Sequence, residues 1–272
     1  MSEIKIENEH VFADVDTSGV APQLVGYLEA VAEMPEVKAL HDRATELLQP
    51  APGERVLEVG CGLGADAREL ARAVAPGGSV TAVDVSEAML NAARDRHDAS
   101  LAVTYERADV CALPYDDATF DVIRIERVLQ HVPDVTGACR EMARVLKPGG
   151  RLLALDTDWG SLVADVGDDD LADRVLAHGR GRMIQPRAAL HLRRLLAGAG
   201  LHRVHVEGHA FTYTSLETAA VLLPMFQELI PQEADFMPAA DREAWFAAAR
   251  RADEEGTFLT GWNAYLALAH KP

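Results

Sequence analysis

Three glycines at alternate positions, Gly60, Gly62 and Gly64, follow the apolar run Val56-Leu57-Glu58-Val59. A strand that ends in such a turn lets a ligand lie against backbone that any side chain would cover. Asp84 stands at the end of the next apolar run, where an acidic side chain can accept from both hydroxyls of an adenosine ribose. Gly60-x-Gly62 with Ala65 also satisfies the loose dinucleotide pattern, so these features alone leave nicotinamide chemistry open. Arg124-Ile125-Glu126-Arg127 puts three charges at the end of another apolar run, where they contact a ligand or form a salt-bridged rim. His202, His205 and His209 look like a ligand cluster, but strand alternation turns His202 away from the other two, and no metal is expected. Cys61, Cys111 and Cys139 lie far apart without a CxxC pair, which suggests neither a disulfide framework nor a zinc site and fits reduced thiols.

The elements that must hold these residues are legible in hydrophobic spacing. Residues 20 to 50 read as two helices, with Leu24, Leu28 and Val31, then Val37, Leu40, Leu47 and Leu48, on buried faces and Pro35 at the break. From Pro52 the pattern predicts strands over 56–59, 79–83, 103–106, 120–125 and 151–155. Helices are expected over 65–74, after the N-cap Ser86 with Glu87 in its first turn, and over 135–146. Strands separated by helices of this length make βαβ units and a parallel sheet. Helices over 168–179 and 186–199, a strand over 202–213, a helical insertion over 215–253 and a last strand over 257–269 complete the reading. No repeat or linker divides the chain, so residues 1–272 are expected to form a single domain. Its parts are a helical cap (20–50), a cofactor-binding core (51–156) and an acceptor-side and lid region (157–272).

The 272 residues are 49% hydrophobic and 25% charged, the composition of a folded globular protein. Against 26 basic residues stand 43 acidic ones, a formal net charge of −17 with no basic stripe, and that field disfavours nucleic acids and anionic membranes as partners. The leader MSEIKIENEH has no apolar h-region, and no stretch approaches the roughly 20 apolar residues of a membrane span. A cytoplasmic protein is expected.

Glu58 in the first motif, Arg107-Ala108-Asp109-Val110, Phe120-Asp121-Val122-Ile123, Val128-Leu129-Gln130-His131-Val132 and Leu146-Lys147-Pro148-Gly149-Gly150 follow in order. With these motifs the chain, over residues 37–156, resembles the class I S-adenosylmethionine-dependent methyltransferases. The group is the small-molecule enzymes similar to menaquinone and ubiquinone biosynthesis methyltransferases. The resemblance implies an α/β, Rossmann-like fold with a seven-stranded, mostly parallel sheet in the order 3-2-1-4-5-7-6, flanked by helices. The N-terminal helices and an insertion between strands 6 and 7 would form a lid. It implies S-adenosyl-L-methionine as cofactor and a small-molecule acceptor methylated at oxygen, nitrogen or carbon. A nicotinamide oxidoreductase would leave three of the motifs unexplained.

By that resemblance Gly60 and Gly62 pack under the methionyl part, with Cys61 beside them, and Glu58 orients the loop or the ammonium group. Asp84 holds the ribose. Val85 and Met89 flank adenine, Asp109 accepts from its amino group and the Val110 N–H donates to the ring. Val85, Met89 and Val110 also have a plain reading as core. Glu126 and Gln130 belong to the cofactor set, and Tyr27 and Arg43 on the N-terminal helices close over the cofactor carboxylate or serve packing and surface. Methyl transfer is an in-line displacement that needs alignment above all. For a hydroxyl or acidic-carbon acceptor, His131, Asp156 and Asp158 are the expected bases, His131 first. Its other reading is a helix-start residue touching backbone or cofactor.

Phe211, Tyr213, Leu223, Met225, Phe226 and Trp245 would make an apolar acceptor pocket and favour a lipophilic or aromatic metabolite. The same residues could pack the lid onto the sheet or join two copies of the chain, which keeps a homodimer open. The alternative function is a protein of this fold that binds the cofactor and catalyses a rearrangement or cyclisation without methylating.

Overall fold

The computed structural model describes residues 15–18, 21–181, 183–227 and 237–272. Two helices, α2 (Ala21–Ala32) and α3 (Pro35–Leu48), follow the short α1 (Val15–Ser18). Pro35 opens α3, where its missing N–H costs nothing. Strands β1 (Arg55–Val59), β2 (Ser79–Asp84), β3 (Val103–Arg107), β4 (Phe120–Glu126) and β5 (Leu146–Asp165) then alternate with α4 (Ala65–Ala73), α5 (Glu87–Asp95) and α6 (Val135–Val145). After α7 (Asp169–Gly181) and α8 (Ala188–Gly198) comes β6 (His202–Tyr213). It is followed by α9 (Leu216–Leu222), a 3₁₀ turn over Pro224–Phe226, α10 (Arg242–Glu254) and β7 (Leu259–His270).

All seven strands form one sheet in the order β3-β2-β1-β4-β5-β7-β6, as the resemblance implied. Strands β3 to β5 pair in parallel through β2, β1 and β4, and β7 runs antiparallel between β5 and β6. Alternate residues of β1 and β4 point to opposite faces. Val56 and Val122 join a core with α3, α4, α7, α9 and α10, while Leu57 and Ile123 join a second core with α6 and α8. Burial on both faces explains why these strands read as apolar runs rather than alternating ones.

Two local readings change. Strand β5 was expected to end near Leu155, yet it continues to Asp165 because β7 keeps pairing with it, from Arg151↔His270 to Asp165↔Leu259 across a bulge. His202 was expected to face away from His205 and His209. A register shift between His202 and His205, with Arg203 at φ 52°, pairs them with His270 and Leu268, two residues apart on β7, and so returns His202 to the same face. The Nδ1 of His202 meets the His270 carbonyl at 2.7 Å, and Glu207 lies 2.9 Å from the Nε2 of His205.

Ser86 caps α5 as predicted, its hydroxyl accepting from the Met89 N–H at 3.2 Å. The same helix end has a second cap from far away in sequence. The Asp16 carboxylate accepts from the Ser86 hydroxyl (2.6 Å) and from the N–H groups of Glu87 (3.0 Å) and Ala88 (3.1 Å), which latches α1 onto it.

Candidate active site

The glycine turn is tied to β2 rather than to β1 alone: the N–H groups of Gly60 and Cys61 both donate to the Val83 carbonyl, at 2.8 and 2.9 Å. Gly60, Gly62 and Gly64 have φ of 71°, 49° and 70°, the left-handed region that glycine enters without strain. A Cβ on Gly60 would lie 2.1 Å from a methyl of Val128, so backbone and the loop after β4 touch there. At Gly62 an added Cβ would meet only Leu28, at 3.7 Å.

Asp84 sits at the end of β2 facing this turn. One carboxylate oxygen accepts from the Gly62 N–H and the other from the Ser86 N–H, both at 3.0 Å. Burial raises its pKa despite these bonds. The Val85 N–H also bonds this carboxylate, and since each carboxylate oxygen has two acceptor directions, it can still accept from a ligand hydroxyl. Val85 beside it is 42% exposed, an open apolar surface, whereas Met89 and Val110 are at 3% and 5% and belong to the interior. Of the two residues expected to flank an adenine, Val85 presents its side chain and Met89 does not; the expectation for Val110 concerned its N–H, which burial of the side chain does not address. Asp109 is exposed, and one of its oxygens accepts from the Cys111 N–H at 2.8 Å. Cys61 is half-buried, and burial raises its thiol pKa.

Under the turn lies a cluster of buried and half-buried charges. Arg124 is at 1% exposure, with Nη1 2.8 Å from Asp66 and 3.8 Å from Glu58, and Nη2 2.5 Å from Glu126. His41, on α3, lies 2.6 Å from Glu126 through Nε2 and 3.4 Å from Asp66 through Nδ1. Burial alone would lower the His41 pKa, but Glu126 and Asp66 outweigh it and raise it to about 10. Burial likewise works against the ionised Asp66 and Glu126, yet Arg124 and His41 hold both carboxyls below the usual range. Glu58 differs: burial dominates and pushes it up to about 8. His41, Asp66 and Glu126 also form the one group of three potential metal-ligand atoms among the described residues. The guanidinium of Arg124 already supplies the cation between the two carboxylates.

Sequence reasoning singled out Glu58 and Glu126 here, placed Arg124 in a charged stretch at the strand end, and missed His41 and Asp66. The signal was an arginine inside the apolar run of β4, because a charge buried in a sheet requires partners. Arg43, expected over the cofactor, points elsewhere. It binds Glu207 of β6 through two nitrogens, at 2.9 and 2.6 Å, and Glu46 at 3.0 Å. Two residues earlier on α3, about half a turn, His41 faces inward instead, as the helical period requires. Tyr27 on α2 packs half-buried against the α3-side core.

In β5, just past its pairing with the end of β4, Asp156 is fully buried and accepts from the N–H groups of Gln130 (3.2 Å) and Thr157 (2.9 Å). Burial raises its carboxyl to about 7. Its oxygens hold the turn over Leu129–His131 in place. Asp158 is also buried and accepts from the Gly160 N–H at 3.1 Å. Gln130 donates to the Arg127 carbonyl at 3.2 Å and accepts from the half-buried Trp159 indole N–H at 2.5 Å. His131 ends that turn, half-buried, its N–H on the Val128 carbonyl at 2.8 Å.

Phe211, Tyr213, Leu223, Met225, Phe226 and Trp245, expected to line an acceptor pocket, are all buried. They pack the insertion onto the sheet: Trp262 stacks on Phe211 and Tyr213, and the Trp245 indole donates to the Met225 carbonyl at 2.8 Å. Trp159, which sequence reasoning overlooked, extends the same stack toward Gln130.

Residues 57–154 match a family model described as a methyltransferase domain. The methyltransferase GfsG of Streptomyces halstedii is 34% identical over 206 residues, covering 74% of this chain and 70% of that one. A 27-O-demethylrifamycin SV methyltransferase of Amycolatopsis mediterranei is 39% identical over 145 residues, 52% of each chain. This chain spans about half the length of several curated relatives it matches. Among solved structures, a Haemonchus contortus phosphoethanolamine N-methyltransferase 2 bound to S-adenosylhomocysteine superposes with a TM-score of 0.62. It is 20% identical, and the match covers 97% of this chain and 60% of that one.

Proposed function

The chain belongs to the class I S-adenosylmethionine-dependent methyltransferases, and on that premise we propose that it transfers a methyl group from S-adenosylmethionine to an oxygen, nitrogen or carbon atom of a small acceptor. The observation that carries this reading is the pairing of an open glycine turn with the Asp84 carboxylate, fixed by Gly62 and Ser86 with acceptor directions to spare. When bound, the cofactor supplies a methyl on a sulfonium, whose charge disperses as the methyl moves in line to the acceptor.

The protein's part is alignment. Asp84 accepts from the ribose hydroxyls, Val85 lies along adenine, and Asp109 accepts from the adenine amino group through the oxygen that Cys111 leaves open. Gly60, Cys61 and Gly62 let the methionyl chain lie on backbone above Glu58. Glu126 acts through Arg124 and His41 to hold the turn, and Asp156 fixes Gln130 and His131 at the acceptor side. His131 serves as the base for a hydroxyl acceptor, and Trp159 with Gln130 forms one wall of the acceptor site. The relative described as a 27-O-demethylrifamycin SV methyltransferase supports a secondary metabolite as that acceptor. The chain works as one unit over residues 1–272 in the cytoplasm, with no nucleic acid or membrane partner. The charge of −17 supports that exclusion, and no helix among the described residues is long and apolar enough to cross a membrane.

Calorimetric titration with S-adenosylhomocysteine and with NADH tests the reading. Micromolar binding of the first, weakened at least tenfold by Asp84→Ala, is expected, a loss of about 1.4 kcal/mol or more. Preference for NADH would overturn it. Binding without any S-adenosylhomocysteine formed from S-adenosylmethionine across an acceptor screen would favour the non-methylating alternative.

A further inference from the structure

Within the charge cluster beside the glycine turn, Glu58 is the carboxylate without a close cation. Three carboxylates, Glu58 on β1, Asp66 on α4 and Glu126 on β4, stand with three cations, Arg124 on β4, His41 on α3 and Arg127 just past β4, whose Nε lies 3.7 Å from Glu126. Asp66 and Glu126 each have Arg124 and His41, and Glu126 has Arg127 as well. Glu58 has only the 3.8 Å approach of an Arg124 nitrogen that already lies 2.8 Å from Asp66. Its Oε2 is buried without a hydrogen-bond partner, and so is the Nε of Arg124, so the guanidinium serves Asp66 and Glu126 rather than Glu58. The neutral thiol of Cys61 also faces Glu58, from the turn itself.

We propose that arrival of the methionyl ammonium above this cluster drives a proton off Glu58, so that cofactor binding in this chain is coupled to proton release. The inference rests on the cofactor reading given above. An anion buried without a donor is unfavourable, so Glu58 holds a proton while no cation is near it. A neighbouring ammonium gives Glu58 a cation of its own: Glu58 passes from carboxylic acid to carboxylate, and the proton leaves to solvent. The carboxyl stands at about 8 without that ammonium, so at pH 7 most molecules carry the proton that binding expels.

The test is titration calorimetry at pH 7 in buffers of different ionisation enthalpy, with S-adenosylhomocysteine and with 5′-methylthioadenosine, which lacks the amino-acid end. Between about half and one proton released per S-adenosylhomocysteine is expected, and none for methylthioadenosine. Affinity for S-adenosylhomocysteine should then tighten by up to about tenfold from pH 6 to pH 7 and level off above pH 8. Glu58→Gln should bind it without releasing a proton. Buffer-independent binding of S-adenosylhomocysteine, or equal release with both ligands, would refute the coupling and leave the cofactor reading intact. Failure to bind S-adenosylhomocysteine at any pH would refute both. The wild-type comparison of two ligands decides the matter even if the variant does not fold.

Discussion

His41 shows how a single residue changes meaning with its surroundings. On α3 it reads as one more polar position, yet it lies between Glu126 and Asp66 with its pKa raised to about 10. A histidine raised above its unfolded value near 6.5 contributes stability that is fully present below that value and lost as pH rises through its folded pKa. His41→Gln is therefore expected to cost about 2 to 3 kcal/mol at pH 7, because it leaves buried carboxylates short of a cation. Urea unfolding at pH 7 and at pH 10.5 checks this, and the difference between the proteins should shrink at the higher pH. An equal loss at both would mean that packing, not charge, is what His41 supplies.

At the scale of elements, the glycine turn depends on the loop after β4 as much as on β1. Gly60 has φ 71°, and a Cβ there would meet Val128 at 2.1 Å. Gly60→Ala combines overlap with backbone strain and is expected to cost about 2 to 4 kcal/mol of stability and to abolish S-adenosylhomocysteine binding. Adding Val128→Ala should recover the steric share and leave about 1 kcal/mol of strain. A double-mutant cycle measured by thermal unfolding would reveal the coupling, and simple additivity would show that the two loops do not touch. The latch of Asp16 on α5 is a second case: a helix end with its own serine cap is capped again from 70 residues away.

For the whole molecule, two cores share one sheet. The cap helix α3 and the lid helices α9 and α10 lie in one core, α6 and α8 in the other, and strand residues alternate between them. Neither core keeps its shape without the strands, so the chain is expected to unfold in one transition with equal calorimetric and van't Hoff enthalpies. S-adenosylhomocysteine at a hundred times its Kd should stabilise it by about 2.7 kcal/mol, which for a chain this long raises Tm by roughly 5 °C or more. Two resolved transitions would instead mark the cap or the lid region as a separate unit.

The parallel sheet was legible because buried parallel strands leave apolar runs, and glycine turns with acidic strand ends leave fixed spacings; its strand order came only with the family resemblance. Strand β6 follows the predicted 202–213, Ser86 is the N-cap, and Asp84 meets the glycine turn. What depended on contacts between distant residues was not legible. Arg43 and His41 are two residues apart on one helix, and only the packing of α3 sends the first out to Glu207 and the second in to Glu126. The aromatic residues of 211–245 were sorted correctly as apolar, but whether they line a pocket or fill a core depends on the distance between lid and sheet. Local sequence determined where the glycine turn and the acidic strand end that faces it stand, and in which element each lies. Tertiary structure decided which charges meet in the interior, because that balance sums over α3, α4, β1 and β4 at once and is recorded in none of them singly.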